Sequence, residues 1–284
     1  MSDPVLVTGA TGTQGGAVAR TLLKRGYRVR ALTRDPNRPP AKLLAELGAE
    51  VVAGDFDDPA SLRRAAEGTS VVYAMGTFAA GTDVETRQGI ALVDAAHQAG
   101  TGHIIYSSVA SALDHTGIPH FESKAKVEQH LATLATPATV LAPVAFLENV
   151  LAPWSVAGLT EGRYGSILPL DTPLQYVAIA DLAEFAALVV AQPGRFAGQR
   201  IELASVAVTA DELARGLSRW LGREVQAFEL PLDGADDDMR AMVEYLRKHG
   251  YHVDIDGLRS AYPEVAWHTL ESWAAEQDWR QLIP

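Results

Sequence analysis

Residues 5–16 read Val-Leu-Val-Thr-Gly-Ala-Thr-Gly-Thr-Gln-Gly-Gly, and no other stretch limits the fold so strongly. The apolar run Val5-Leu-Val7 has the character of a short parallel strand buried on both faces. Glycines follow at Gly9, Gly12 and Gly15, with Gly16 as an extra. Ala17, Val18, Leu22 and Leu23 then recur at helical spacing up to Gly26, a helix stop. Strand, glycine turn and helix together form the context of a dinucleotide-binding fingerprint. Gly9 serves the tight turn off the strand, Gly12 leaves room for a pyrophosphate to approach the backbone, and Gly15 lets helix and strand pack closely. The helix start offers unpaired N–H groups and a positive dipole end to the phosphates. A flexible glycine turn without a ligand is the alternative, and the flanking strand and helix speak against it.

A chain of 284 residues accommodates one large domain or two intimate ones. With 48% hydrophobic residues a sizeable core can form. The lack of cysteine excludes disulfides, thiolate metal sites and a cysteine nucleophile, and fits a cytoplasmic setting. The eight histidines show no metal-ligand spacing, so no metal is expected. A formal net charge of -11 argues against a broad electrostatic grip on nucleic acid and leaves a protein partner open. Met1-Ser-Asp-Pro4 leads to the first strand without a basic or long apolar leader, which predicts no signal peptide. No apolar run has the length of a membrane span.

A second strand is predicted over residues 28–33, and its tip is where the adenosine ribose lies in this fold. An acidic residue there would select NAD; the chain has Thr33 and Arg34. The planar fork of Arg34 suits a 2′-phosphate, so NADP(H) is favoured over NAD(H), with a solvated surface arginine as the alternative. Arg38 is a weaker second candidate. A helix over 41–47 and a strand over 50–53 follow. Asp55 and Phe56 then fall where the adenine edge rests, while Asp57 or Asp58 caps a helix starting at Pro59. Further strands are predicted at 70–75, 103–107 and 138–142, with helices at 83–99 and 120–130. Five or six strands alternating with helices imply a doubly wound parallel sheet with every carboxyl end on one rim.

Beyond Leu151 the pattern changes. Residues 153–165 read as a loop-rich excursion. Strand and helix return over 176–190, where Asp181 is an N-cap or first-turn acid. A strand over 199–203, a helix capped by Thr209 and a short strand over 225–229 complete this part. In a helix from Asp233, Asp236, Asp237 and Asp238 come early and Arg247, Lys248 and His249 late, as the helix dipole prefers, so the acid run reads as structural. Residues 251–284, with Trp267, Trp273 and Trp279, read as a packed tail. The expected fold class is α/β: a Rossmann-type doubly wound parallel sheet.

Seven segments together resemble the NmrA-like branch of the atypical short-chain dehydrogenase/reductase superfamily. They are residues 7–16, Thr33-Arg34-Asp35, Gly54-Asp-Phe-Asp-Asp58, Tyr106-Ser-Ser-Val109, Phe121-Glu-Ser-Lys124 with Val127-Glu128, Phe146-Leu-Glu-Asn149, and residues 176–183. The resemblance implies an NADP-binding Rossmann domain, residues 1–150 with 174–204 returning to it, carrying a smaller, split C-terminal α+β domain for substrate or partner, residues 151–173 and 205–284. The branch includes NAD(P)H-dependent quinone reductases, isoflavone-type reductases and coenzyme-binding redox sensors or transcriptional co-regulators that turn nothing over.

The superfamily's usual site has a tyrosine four residues before a lysine and a serine at the end of the fifth strand. Here Lys124 matches the lysine, His120 stands at the tyrosine position, and Ser107 or Ser108 matches the serine. The resemblance thus implies a catalytic set of Lys124, His120 and Ser108. Residues four apart share a helix face, so His120 and Lys124 can address one ligand. Lys124 would hydrogen-bond the nicotinamide ribose; an ion pair with Glu128 is the alternative. Histidine titrates near pH ~6.5, so His120 is either a proton donor to a reduced oxygen or a helix-start histidine without catalytic duty. Tyr106 reads as core. The missing tyrosine counts against an alcohol dehydrogenase or a nucleotide-sugar epimerase but not against hydride transfer to a quinone, where the coenzyme carries the chemistry. No serine sits in a nucleophile elbow, so hydrolase chemistry is unsupported.

The expected coenzyme contacts are Gly9, Thr11, Gly12, Thr13, Gln14 and Gly15 of the turn, then Arg34, Asp55, Phe56, Met75, Gly76 and Lys124. Phe78, Phe146, Asn149 and Trp154 are expected to line a pocket for a flat, apolar acceptor, core packing being the alternative for Phe146 and Trp154. The expected function is an NADP(H)-dependent oxidoreductase acting on a quinone-like or small carbonyl acceptor. The alternative is a catalytically silent NADP(H) sensor acting through a protein partner, with no direct contact to nucleic acid or membrane.

Overall fold

β1 (Val5–Val7) is buried along its whole length, as a central parallel strand must be. The computed structural model describes residues 3–283; Met1 and Ser2 of the no-leader reading and Pro284 of the tail lie outside them. From β1 the chain alternates helix and strand: α1 (Thr13–Lys24), β2 (Val29–Thr33), α2 (Pro39–Glu46), β3 (Glu50–Ala53), α3 (Pro59–Ala66), β4 (Val71–Ala74), α4 (Thr82–Gln98), β5 (His103–Ser107), α5 (Pro119–Leu131) and β6 (Ala138–Pro143). There follow β7 (Ala145–Phe146), α6 (Pro153–Thr160), β8 (Arg163–Ser166), β9 (Leu174–Val177), α7 (Ile179–Ala191), α8 (Pro193–Phe196) and β10 (Arg200–Leu203). Last come β11 (Val206–Val208), α9 (Ala210–Leu221), β12 (Gln226–Glu229), α10 (Asp237–Lys248), α11 (Ile255–Ala261), α12 (Leu270–Ala275) and α13 (Trp279–Leu282). Among the described residues no helix is long and apolar enough to cross a membrane.

The chain divides into two units. The first holds the residues up to His115, Pro119–Ala142 and Leu182–Glu202. Its sheet has seven strands in the order β10-β6-β5-β4-β1-β2-β3, the strand expected over 199–203 joining it as β10 at the β6 edge. β1 lies between β2 and β4 with parallel pairing on both sides, and the order reverses there in the doubly wound manner. Leu6, Leu32, Val72 and Ile104 of the sheet meet Leu62, Leu92, Val93 and Val127 of the helices in one apolar cluster. α3 starts as expected: the carboxylate of Asp58 accepts from the amides of Ala60 and Ser61.

The second unit holds Thr116–Ile118, Pro143–Asp181 and the residues from Leu203 on. It contains a sheet of order β11-β9-β7 and a parallel pair of β12 and β8. Its core gathers Leu147, Leu159, Leu213, Leu217 and Trp273. Trp273 meets the rings of Trp220 and Trp279, which stack on each other with centroids 5.4 Å apart. Thr209 caps α9 through a reciprocal box with Glu212, and Asp236 caps α10 by accepting from the Met239 amide.

One expectation needs correction here. Residues 153–165 are a helix and a strand rather than a loop-rich excursion. A Cβ at Gly158 would sit 2.9 Å from the Arg163 carbonyl oxygen, so this glycine marks a close helix–strand approach and not a flexible turn. Asp181 lies in the first turn of α7 as expected, and it is 1% exposed, because the Ser205 hydroxyl and the His268 amide and ring hold it in the interior.

Candidate active site

The turn after β1 is shaped by what its glycines lack. Gly9 has φ +61, and a Cβ there would lie 2.7 Å from Met75 Sδ. A Cβ on Gly15 would lie 2.4 Å from the Gly9 carbonyl oxygen and 2.6 Å from that of Thr8, so only glycine lets α1 approach β1 this closely. Gly12, the N-cap of α1, makes no side-chain cap, and its own amide donates to the Gly9 carbonyl at 2.9 Å. Gly12 and Thr13 are exposed and Thr11 is half-buried, which leaves the start of α1 open as an anion cradle. The buried Thr8 hydroxyl donates to the Met75 carbonyl at 3.0 Å and accepts from the Met75 amide at 2.9 Å, locking the tips of β1 and β4 together. Met75 and Gly76 follow at that tip, both half-buried. The half-buried Gln14 donates its side-chain amide to the Tyr73 hydroxyl at 2.7 Å and to the Ser107 hydroxyl, tying the start of α1 to the sheet. Burial pushes the Tyr73 phenol up to about 12, so it stays protonated.

Arg34 follows β2, is exposed and forms no ion pair among the described residues. Asp35 folds the next residues into an Asx turn by accepting from the Asn37 amide at 2.9 Å. Arg38 is exposed at the N-cap of α2. Asp55 is exposed and accepts from the Asp57 amide at 3.0 Å, while Phe56 beside it is half-buried against the core.

The catalytic candidates lie where α5 packs on α4. A Cβ on Gly89 would lie 2.7 Å from Val127 Cγ2, so the two helices almost touch there. One turn earlier on both, the Lys124 ammonium donates to Glu85 at 2.7 Å and the Ser123 hydroxyl donates to the same carboxylate at 2.5 Å. Glu85 is 1% exposed. Lys124 therefore pairs across to α4, not with Glu128 along its own helix. His120 stacks on the half-exposed ring of Phe78, centroids 4.9 Å apart, and meets Phe121 edge-on.

Ser108 donates its hydroxyl to the buried Glu128. Arg200 binds that carboxylate at 2.9 Å, Glu202 at 2.7 Å and the Val109 carbonyl at 2.9 Å. Glu202 also accepts from the Ser111 amide at 2.9 Å. This network braces the loop after β5, in which Ser111 (φ 60) and His115 (φ 53) both hold left-handed backbone. Tyr106 is core, and burial with the nearby carboxylates of Glu85 and Glu128 holds its phenol well above the usual value.

Sequence reasoning misses Glu85 and Arg200. The signal for Glu85 was an acid on the helix face that otherwise carries Gly89, Leu92, Val93 and Ala96. Of the expected pocket residues, Phe78 lies in the first unit and Phe146, Asn149 and Trp154 in the second. Phe146 is half-buried, Asn149 exposed, and Trp154 75% exposed, which excludes core packing for Trp154.

The model of the NmrA-like family matches residues 1–274. An NmrA-like family domain-containing oxidoreductase, hkm9, of Aspergillus hancockii is 38% identical over 159 residues, covering 52% of this chain and 48% of that protein. The chain thus spans about half the length of that relative. A (4-alkanoyl-5-oxo-2,5-dihydrofuran-3-yl)methyl phosphate reductase of Streptomyces griseus is 31% identical over 237 residues, 81% of this chain and 78% of that one. Among solved structures, the NADPH-dependent quinone oxidoreductase QOR2 of Escherichia coli, complexed with NADPH, is 26% identical, with TM-score 0.79 over 95% of this chain and 98% of that one. The match over nearly the whole length, on a Rossmann sheet with this glycine turn, makes the chain a member of the NmrA-like family.

Proposed function

We propose that this protein is an NADP(H)-dependent reductase that passes hydride to a small conjugated acceptor, quinone-like or carbonyl-bearing. The observation that carries the reading is a turn stripped of side chains at Gly9, Gly12 and Gly15 together with an exposed arginine at the tip of β2, Arg34, that forms no ion pair among the described residues. The cradle suits a pyrophosphate and the guanidinium suits a 2′-phosphate. The reductases among the relatives support the same direction. A nicotinamide coenzyme, when bound, supplies the hydride. Met75 and Gly76 offer a wall for its ring end, and Asp55 and Phe56 an edge for adenine. Lys124, held in place by Glu85, presents N–H donors to a ribose hydroxyl. His120, steadied by stacking on Phe78, donates the proton that a reduced oxygen requires. Ser108 supports this set indirectly by engaging Glu128.

Histidine in place of tyrosine, and a serine whose hydrogen is already engaged, favour a second reading: a coenzyme sensor without turnover. Following NADPH oxidation with a panel of quinones and conjugated carbonyls separates the two. Turnover lost in His120→Phe and Lys124→Ala supports the reductase. Tight, selective NADP binding with no turnover on any acceptor supports the sensor. Failure to bind either coenzyme overturns both.

A further inference from the structure

A cavity of about 650 Å³ lies wholly within the second unit. Its walls come from the edge strand β11, from α9, and from the starts of α11 and α12. None of the residues assigned above to coenzyme or acceptor lines it.

Three arginines converge on this cavity. Arg215 and Arg219 stand one turn apart on α9, exposed, and form no salt bridge among the described residues. Arg259 comes from α11. Its guanidinium donates to the Ser205 carbonyl at 2.9 Å and the His268 carbonyl at 3.1 Å, which fixes its position, while its Nε–H is buried without a hydrogen-bond partner. Ser205 and His268 are themselves bound to the buried Asp181, so Arg259 rests on a fixed support.

Carboxylates also line the cavity, but their oxygens are engaged elsewhere or held at helix starts. Glu212 accepts from the Thr209 amide and Asp254 from the Gly257 amide, each at 2.9 Å. Asp256 and Glu271 sit in the first turns of α11 and α12, where the helix dipole favours them. Hydrogen bonds from Thr209 hold the Glu212 carboxyl low, with the charge of Arg215 adding a smaller part. With these four carboxylates and three arginines in the lining, recognition of an anion rests on direct contact with the guanidinium forks and not on a net positive field. Val206, Val253 and Leu270 add apolar wall.

We propose that this cavity is a second ligand site, taking a small organic anion with an apolar body. The carboxylate or phosphate head meets the planar forks of Arg215, Arg219 and Arg259, and the body lies on the valines and leucine. The proposal is independent of the hydride-transfer reading, since it uses none of the same residues.

The test is calorimetric titration of the full chain, saturated with NADP, with octanoate and separately with octyl phosphate. Saturation keeps the probes out of the coenzyme cradle. Binding of one probe per chain supports the site, and the tighter of the two identifies the head group. Inorganic phosphate, lacking the body, is expected to bind much more weakly. Arg219→Gln and Arg259→Met should each weaken the better probe by about tenfold, the loss of one charge-assisted contact. Because Arg259 also braces two carbonyls, the Arg215→Gln/Arg219→Gln pair on the exposed face of α9 provides a variant that leaves the core untouched. No binding of either probe, or equal binding to that pair of substitutions, overturns the proposal.

Discussion

The ammonium of Lys124 lies 2.7 Å from Oε1 of Glu85, a carboxylate that solvent barely touches. The two residues lie 39 positions apart in the chain and meet because α4 and α5 pack closely at Gly89 and Val127. The pair fixes where the lysine can aim its remaining donors, so Glu85 positions the residue assigned to the coenzyme ribose.

Removing one partner of this pair should cost far more than removing both. Lys124→Ala leaves a buried carboxylate without its cation and is expected to lower stability by about 3–5 kcal/mol in urea denaturation. Lys124→Met combined with Glu85→Leu should recover most of that loss. A double variant that loses as much as the Lys124→Met and Glu85→Leu single variants added together would show that the pair is not energetically coupled.

Gly15→Ala should destabilise the first unit more than Gly12→Ala does. The new methyl would lie 2.4 Å from the Gly9 carbonyl oxygen in the first case and 3.3 Å from it in the second. A forced backbone shift of this kind costs roughly 1–3 kcal/mol. Thermal melts give the order, and coenzyme affinity should fall in step, since the same shift opens the cradle.

Arg34→Gln is a surface change and should leave the melting temperature unaltered. It should weaken NADPH by about tenfold or more and NADH hardly at all, because only the former carries the 2′-phosphate that a guanidinium grips in a charge-assisted pair. Equal losses for both coenzymes in titration would remove Arg34 from the phosphate contact.

Stability should fall as the solution is made alkaline. The hydrogen bond to Asp181 pushes the His268 imidazole up to about 9 from an ordinary 6.5, with burial opposing. The folded value lies above the unfolded one, so the contribution is complete below pH 6.5, declines as pH rises toward 9 and is gone beyond it. At neutral pH it amounts to something on the order of 2 kcal/mol. His268→Gln should therefore destabilise the protein near neutrality, and the gap to the parent should close above pH 9. A gap unchanged across that range would refute the assignment.

What the sequence makes legible is local chemistry. The glycine turn, the Asp58 and Thr209 caps and the buried Val5–Val7 strand each follow from a few neighbouring residues. β11 and the α6–β8 pair escape notice because they are short and depend on partners elsewhere in the chain, β9 for β11 and β12 for β8. The partners of Lys124, Glu128 and Asp181 escape for a related reason: they lie 39, 72 and 87 residues away, beyond any helical or strand period. Gln14 is of the same kind, since its place beside the glycines does not disclose the sheet hydroxyls that hold its amide.

All five tryptophans, among them the stacked Trp220 and Trp279, belong to the second unit, while the first holds only tyrosines Tyr27, Tyr73 and Tyr106 as phenol chromophores. Indole fluorescence is thus a built-in meter for one half of the molecule. Set against circular dichroism, which is weighted by every helix, it can reveal whether the halves melt together or in turn without any label being attached.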